Sequence, residues 1–402
     1  MKKAAKYLSY GSLAAVIVMM VAATVVEKLH GTDFALRHFY YSPIFIVLWA
    51  VLAVCGMVYL VSRGGHKRLF TFLMHVSFVL ILAGALVTHL TGISGGISLR
   101  TGEECGTIEL EDGTTMALPF SLRLDEFAIE HYPGSMAPKD YRSEVTVLPS
   151  EESFTISMNH ILKYDGFRFY QADYDEDLQG SILAVSHDPW GIGITYTGYL
   201  LLLVSMIGFF FQKESYYRKK VLAGLPALPR WLKIILYSVA FLLLIGCFWL
   251  MCRRLLFKPL MPVLRSPLLV VHIVAMIVSY TVFGLTALMG ITALILPSPR
   301  AKESMRDISL AILYPAVFFL AFGIFIGAVW ANISWGNYWG WDPKETWALI
   351  TLLVYSFALH GSSIKSFRKP VFFHIYMILA FLSVLVTYFG VNLLLGGVHS
   401  YM

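Results

Sequence analysis

Apolar residues in this chain fall into long unbroken runs, not into the spaced stripes of a soluble helix. Runs at 8–26, 44–62, 71–91, 191–211, 231–251, 267–290, 308–330, 346–361 and 371–395 predict nine membrane-spanning helices, since a bilayer crossing needs about 17–25 predominantly apolar residues. The first run has a long apolar core and no clear small-residue cleavage site after it, so it is read as a span and not as a cleaved signal. Residues 92–190 change the pattern. Short alternating segments such as Thr107–Leu110, Val145–Leu148 and Phe167–Tyr170 are separated by Gly, Pro, Asp and Ser clusters, with Asp112-Gly113 as a turn. The fold class predicted is an all-α polytopic membrane protein of about nine transmembrane helices, carrying one small β-rich extracytoplasmic domain with a single modest core.

Composition agrees with this reading. Of 402 residues, 57% are hydrophobic and 14% charged, and the mean hydropathy is +0.69. Charge adds an orientation. Lys2, Lys3, Lys6, then Arg63, Lys67, Arg68, then Lys213, Arg218, Lys219, Lys220, Arg230, then Arg300, Lys302, Arg306, then Lys365, Arg368 and Lys369 all fall on one side of a nine-span chain. By the positive-inside rule that side, with the N-terminus, is cytoplasmic. The loop 252–266, with Arg253, Arg254, Lys258 and Arg265, breaks the pattern on the outer side. A net charge of +6 gives no reason to invoke nucleic acid. The four cysteines, Cys55, Cys105, Cys247 and Cys252, form neither Cys-x-x-Cys nor Cys-x-x-Cys-His, so the chain carries no thioredoxin-like motif and no covalent haem attachment site of its own. Cys105 and Cys252 both fall on the oxidising side, where they could pair or stay as thiols.

Candidate chemistry concentrates in Trp335–Trp347, which holds four of the nine tryptophans with interleaved glycines. An aromatic belt alone would scatter such rings over many helix ends. Here Gly336 and Gly340 admit a planar ligand close to the backbone, while Asp342, Pro343 and Glu345 read as the N-cap, first position and capping box of the next helix. Ionisable groups inside spans are costly and are functional candidates by default. His75 lies near the basic end of the third run and His360 near the same end of the eighth; His272 and His399 share the level of the Trp-rich segment. Two imidazole pairs, one near each face, suit axial ligation of haem iron. His374 is read as packing, His89 as interfacial, and the other histidines as solvated or capping.

The order Trp-Gly-x-x-Trp-x-Trp-Asp-Pro-Lys-Glu-Thr-Trp-Ala-Leu-Ile over 335–350 resembles the WWD signature of haem-handling proteins of cytochrome c maturation, among them CcsA/ResC, CcmC and CcmF. Phe120–Phe127, Tyr132-Pro133, Tyr164–Gln171 and Asp188-Pro189-Trp190 resemble the ResB (CcsB) proteins that partner CcsA in the System II synthase. The chain is thus similar to a natural fusion. Residues 1–91 would be ResB-like helices, 92–190 the outer β-rich domain, 191–230 a fourth helix and linker, and 231–402 the CcsA-like membrane domain with its WWD loop at 330–347.

The resemblance implies that His75 and His360 are the transmembrane haem ligands and that His272 and His399 are the outer pair flanking the loop, where they are catalytic. It also implies that Trp335, Gly336, Trp339, Trp341 and Asp342 bind the haem b substrate. Haem would be attached by thioether bonds to the Cys-x-x-Cys-His segment of an apocytochrome c, a separate thiol-reducing partner keeping those thiols reduced. The simplest setting is a bacterial cytoplasmic membrane, with the WWD loop and C-terminus outside and the lipid bilayer around the spans. Both halves are short for the family, so a homo-oligomer or an additional biogenesis subunit is the corresponding expectation. Two other readings compete: a haem transporter or chaperone that forms no bond, and a non-catalytic membrane assembly factor. The ResB-like half favours the synthase over a CcmC-like handler, and the paired histidines weigh against a purely structural factor.

Overall fold

The computed structural model describes residues 2–110, 112–224, 238, 245–246, 249, 261–361 and 363–395. It is mostly helical with one antiparallel sheet. Among the described residues, eight main helices occur: α1 (Lys2–His30), α2 (Pro43–Ser62), α3 (Leu69–Thr91), α4 (Gly191–Phe211), α5 (Pro267–Ile295), α6 (Pro299–Trp335), α7 (Pro343–Ala358) and α8 (Pro370–Leu385). The last continues as a wider π turn over Val386–Leu395. Seven of these segments, counting 370–395 as one, are long and apolar enough to cross a membrane.

Helix starts follow local chemistry. α2, α5, α6, α7 and α8 each begin at a proline, whose missing N–H and preset φ suit the first helical position. Ser42, Ser298 and Asp342 add side-chain caps, Asp342 accepting from Lys344 N–H at 2.9 Å. Pro315, inside α6, removes the donor that Ala311 carbonyl would use, and the Tyr217 hydroxyl donates to that carbonyl at 3.2 Å.

Helices meet through small residues, as expected where lipid removes the hydrophobic drive between them. Ser77, Gly84 and Thr88 of α3 pack against Gly191, Thr195 and Gly198 of α4, so closely that a Cβ on Gly84 would overlap the Thr195 hydroxyl. The main membrane core joins α5–α8 around Phe283 and Tyr355, whose rings stack at 3.7 Å.

Between α3 and α4 lies an eight-stranded antiparallel sheet. Its strands are β1 (Ile93–Arg100), β2 (Glu104–Leu110), β3 (Thr115–His131), β4 (Pro138–Leu148), β5 (Glu152–Ser157), β6 (Leu162–Tyr164), β7 (Phe167–Tyr174) and β8 (Gly180–His187). The spatial order is β5-β4-β3-β2-β1-β8-β7-β6. The two edge strands, β5 and β6, are consecutive in sequence and joined by a four-residue link, so the sheet curls to bring its edges together. Alternate residues, including Ile97, Leu99, Leu122, Leu124, Val145, Val147, Phe169 and Leu183, fill the inside. Asp165-Gly166, both at positive φ, make the tight turn into β7.

Several expectations shift. The fourth run matches α4 at 191–211, and the third, sixth and ninth runs match within a few residues, whereas α1 and α6 extend beyond their runs at both ends. The eighth run, expected over 346–361, is a 16-residue helix ending at Ala358, leaving His360 in the following turn. α6 continues through Trp335, because nothing breaks the helix until Gly336 takes φ 85°. The loop expected at 330–347 is therefore 336–342. Most of the fifth run, His399, Cys247, Cys252 and most of the basic loop 252–266 lie outside the described residues.

Candidate functional site

The ends of the helices sort into two groups. At one end, Lys6 Nζ donates to Ser363 carbonyl (2.9 Å), Arg306 donates to Arg368 carbonyl (2.5 Å) and the Tyr314 hydroxyl donates to Leu359 carbonyl (3.3 Å). The basic loops gather there. At the other end are the Trp-rich loop and the sheet.

His75, on the first turns of α3, and His360, just past α7, meet at the basic end with ring centres 6.2 Å apart and planes perpendicular at 89°. Each Nδ1 lies against the backbone carbonyl four residues earlier, Thr71 for His75 (2.7 Å) and Ser356 for His360 (2.8 Å). A carbonyl only accepts, so both Nδ1 atoms carry the proton and both Nε2 atoms carry the lone pair. That tautomer, fixed by a carbonyl behind the ring, is the usual arrangement of a metal-ligating histidine. Two metal–imidazole bonds of ~2 Å each, with half a ring on either side, span about the separation seen. The ring-centre separation matches that of two imidazoles sharing one metal ion.

His374 has the opposite arrangement. It is fully buried, its Nε2 donates to Lys302 carbonyl (3.0 Å), and its Nδ1 is buried without a hydrogen-bond partner among the described residues. Its donor is spent on joining α8 to α6, which is a packing role. His89 stacks at a tilt against Tyr41 (4.9 Å).

At the other end, Trp341 takes φ 57°, a conformation side chains rarely adopt. It is held there by Tyr40, stacked on it at 4.6 Å, and by the edge of Phe45 at 5.2 Å. Trp339 stands edge-on to Trp341 (5.7 Å), and its indole N–H is buried without a partner among the described residues. Trp335 packs against Trp330 (4.9 Å), and Trp347 donates from Nε1 to Thr24 (3.1 Å). Asp342 is buried and caps α7, while Glu345 reaches back to Gly340 N–H (2.9 Å), deeper into the loop than a simple capping box. His272 of α5 donates from Nδ1 to Gly323 carbonyl of α6 (2.7 Å), which again leaves the lone pair on Nε2.

The loop is also tied to the sheet. Asn159, in the link between β5 and β6, accepts from Ser334 (2.7 Å) and donates to Pro262 and Val263 carbonyls (both 3.4 Å). Asn332, with its amide turned to suit every partner, donates to Gly336 carbonyl (3.2 Å) and accepts from Tyr196 (2.7 Å) and Arg168 (3.3 Å). A Cβ on Gly336 would lie 2.7 Å from the Tyr170 ring of β7. The Tyr338 hydroxyl pairs with Thr88 (2.9 Å), which donates to Asp188 (2.6 Å). Between the outer sheet face and the loop opens a cleft of about 560 Å³, bounded by Ser94–Ser98, Tyr170, Ala184, Ser186 and Trp335–Asn337. Sequence reasoning missed Tyr40, Asn159 and Gly323, because each is brought in from a distant element and none belongs to a motif, and it gave Arg168 no role of its own although the residue lies within the ResB-like Tyr164–Gln171 stretch.

These features define a multi-pass membrane protein whose described spans place one histidine pair near the basic loops and a sheet-clamped tryptophan loop at the opposite end. Residues 192–399 match the model of the cytochrome C assembly protein family, and residues 53–186 match the ResB-like family. The chain belongs to the cytochrome c assembly protein family and carries a ResB-like domain in the same polypeptide. It is 38% identical over 151 residues to protein NrfI of Wolinella succinogenes, covering 35% of this chain and 17% of that protein. It is 41% identical over 155 residues to the cytochrome c biogenesis protein CcsA of Chlamydomonas reinhardtii, covering 36% of this chain and 43% of that one. Against CcsA of Solanum lycopersicum the identity is 52% over 83 residues, 21% of this chain and 26% of the relative. The chain spans less than two thirds of the length of these relatives.

Proposed function

We propose that this chain is a holocytochrome c synthase, with haem b as a substrate carried to an outer site and attached there to apocytochrome c. The observation that carries the reading is the His75–His360 pair: two imidazoles from distant parts of the chain, 6.2 Å apart, both with Nδ1 engaged by a backbone carbonyl. In this reading the basic end is cytoplasmic, of nine spans in a bacterial cytoplasmic membrane, and the sheet and Trp-rich loop lie outside. His75 and His360 hold the haem iron on entry; His272 and His399 hold it at the outer site.

At that site Trp335, Trp339 and Trp341 offer ring surface and an indole donor, Gly336 keeps the backbone low, and Asp342 fixes the end of the loop on α7. The cleft above Trp335–Asn337 receives the Cys-x-x-Cys-His segment. Each thiol then adds across a vinyl group, sulfur to one carbon and hydrogen to the other, with no net oxidation. A thiol-reducing partner supplies reduced cysteines. The ResB-like domain favours this over a haem handler that forms no bond, because the sheet both clamps the loop and walls the cleft.

The test is the reduced absorption spectrum of the detergent-purified chain. Copurified six-coordinate ferrous haem is expected, weakened in His75→Ala and His360→Ala and retained in His374→Ala. Co-expression with an apocytochrome is expected to give covalently attached haem. A colourless, folded protein made with haem in supply would remove the proposal; bound haem with no attachment would favour the handler.

A further inference from the structure

His75 and His360 bond to carbonyls of their own helical segments, but His272 bonds across to another helix, so helix packing decides where its ring points. The site of contact on α6 is Gly323-Ile-Phe-Ile-Gly327. The Gly323 carbonyl accepts from His272 Nδ1 at 2.7 Å. One turn further along, a Cβ on Gly327 would lie 2.5 Å from that Nδ1 and 2.8 Å from Cε1. A methyl there and the ring cannot occupy the same space. A Cβ on Gly323 would meet Met276 Sδ at 2.9 Å and Ala275 Cβ at 3.2 Å, so this glycine sets how near α5 approaches. The pair makes a notch in α6 that seats the imidazole edge. With Nδ1–H held by the carbonyl, the lone pair of Nε2 is directed away from α6.

We propose that Gly327 is a positioning residue for His272: the Gly323 carbonyl fixes the tautomer, and the missing side chain of Gly327 seats the ring so that Nε2 is aimed at the haem iron. This rests on the reading of His272 as an outer ligand. Small residues between membrane helices usually serve packing alone, and the direct contact with the imidazole is what gives Gly327 a second role. Gly327 touches no substrate. It acts through the ring.

The full chain is purified with its haem as wild type, His272→Ala, Gly327→Ala, Gly323→Ala and the control Gly284→Ala. The control's new methyl would meet Phe381 only at 3.5 Å. Gly327→Ala is expected to lose the spectral component that His272→Ala loses, and added imidazole to restore it in both. Gly323→Ala keeps its carbonyl and is opposed in the first place by a flexible Met276 side chain, so it should retain most of that component, as should Gly284→Ala. If His272→Ala matches wild type, the ligand reading falls and this inference with it. If His272→Ala differs while Gly327→Ala matches wild type, the inference alone falls. Should Gly327→Ala fail to fold, the pair His272→Gly/Gly327→Ala removes the ring that clashes. Recovered folding with imidazole-restored absorbance supports the notch; continued failure means Gly327 serves packing alone and overturns it.

Discussion

At the residue scale, the charges on the sheet show how Arg265 is accommodated. Arg265, leading into α5, donates to Lys139 carbonyl (3.3 Å) and lies 5.8 Å over the Tyr132 ring. Its charge also acts on Glu130, whose carboxylate is bonded by Lys139 (2.9 Å) and approached by Arg142 (3.3 Å). The Lys139 hydrogen bond, then the Lys139, Arg142 and Arg265 charges, hold the Glu130 carboxyl below the usual glutamate range. A group whose acidity is strengthened by folding contributes stability above its ordinary titration range, and loses it as pH falls through the depressed one. The β3–β4 hairpin should therefore lose amide protection in hydrogen exchange as pH drops below the ordinary glutamate range. Glu130→Gln should lower protection at neutral pH and remove that acid-dependent step. Equal profiles for the two proteins would show that these exposed pairs contribute nothing measurable, as many do.

Among elements, the close approach of α3 and α4 is the contact most sensitive to one added methyl. Gly84→Ala would press a Cβ onto the Thr195 hydroxyl and to 2.7 Å from the Thr195 backbone nitrogen, and backbone cannot yield as a side chain can. Overpacking of this kind costs about 1–3 kcal/mol. Gly56→Ala in α2 meets nothing within 4 Å and should be neutral, or stabilising by up to about 1 kcal/mol. Thermal unfolding midpoints in detergent separate the two, and a Gly84→Ala midpoint at or above that of Gly56→Ala would contradict the packing described. The start of α7 was legible in the sequence because Asp342-Pro343 acts locally, and so was the position of most runs, since hydropathy needs no partner, whereas the start of α6 at Ser298-Pro299, ahead of its apolar run, was not read. The end of α6 was not, because Trp335 suits a helix as well as a loop and only the positive φ of Gly336 ends it. The His75–His360 pair could be read from depth together with the family resemblance, since His374 lies at a similar depth. Tyr40 under Trp341, the Gly323 carbonyl behind His272 and Asn159 beneath Ser334 could not, since each depends on how distant elements pack.

For the whole molecule, the question the proposed function raises is whether haem binding and peptide reception would be separable. One row of the sheet runs across four strands: Glu109 beside Gly96 beside Ala184 beside Tyr170. Its middle is low, and it lies along the cleft that opens toward Trp335–Asn337. Glycine inside a strand weakens it and often marks the close approach of a ligand or another backbone. For Gly95 the reason is internal, because its Cβ would overlap Glu109 carbonyl; Gly96 has only Leu183 carbonyl, at 3.8 Å, and its fold does not require glycine. Gly96→Leu should consequently preserve the sheet, since a larger side chain suits a strand better, while filling the cleft. If the ResB-like sheet receives the apocytochrome segment beside the loop, this variant keeps the haem spectrum of wild type but attaches haem to co-expressed apocytochrome about tenfold less, equivalent to ~1.4 kcal/mol. Unchanged attachment would move peptide reception away from this cleft and leave the sheet with the clamping role alone. A loss of haem together with attachment would instead mean that the sheet face and the tryptophan loop work as one unit, coupled through Tyr170 and Gly336.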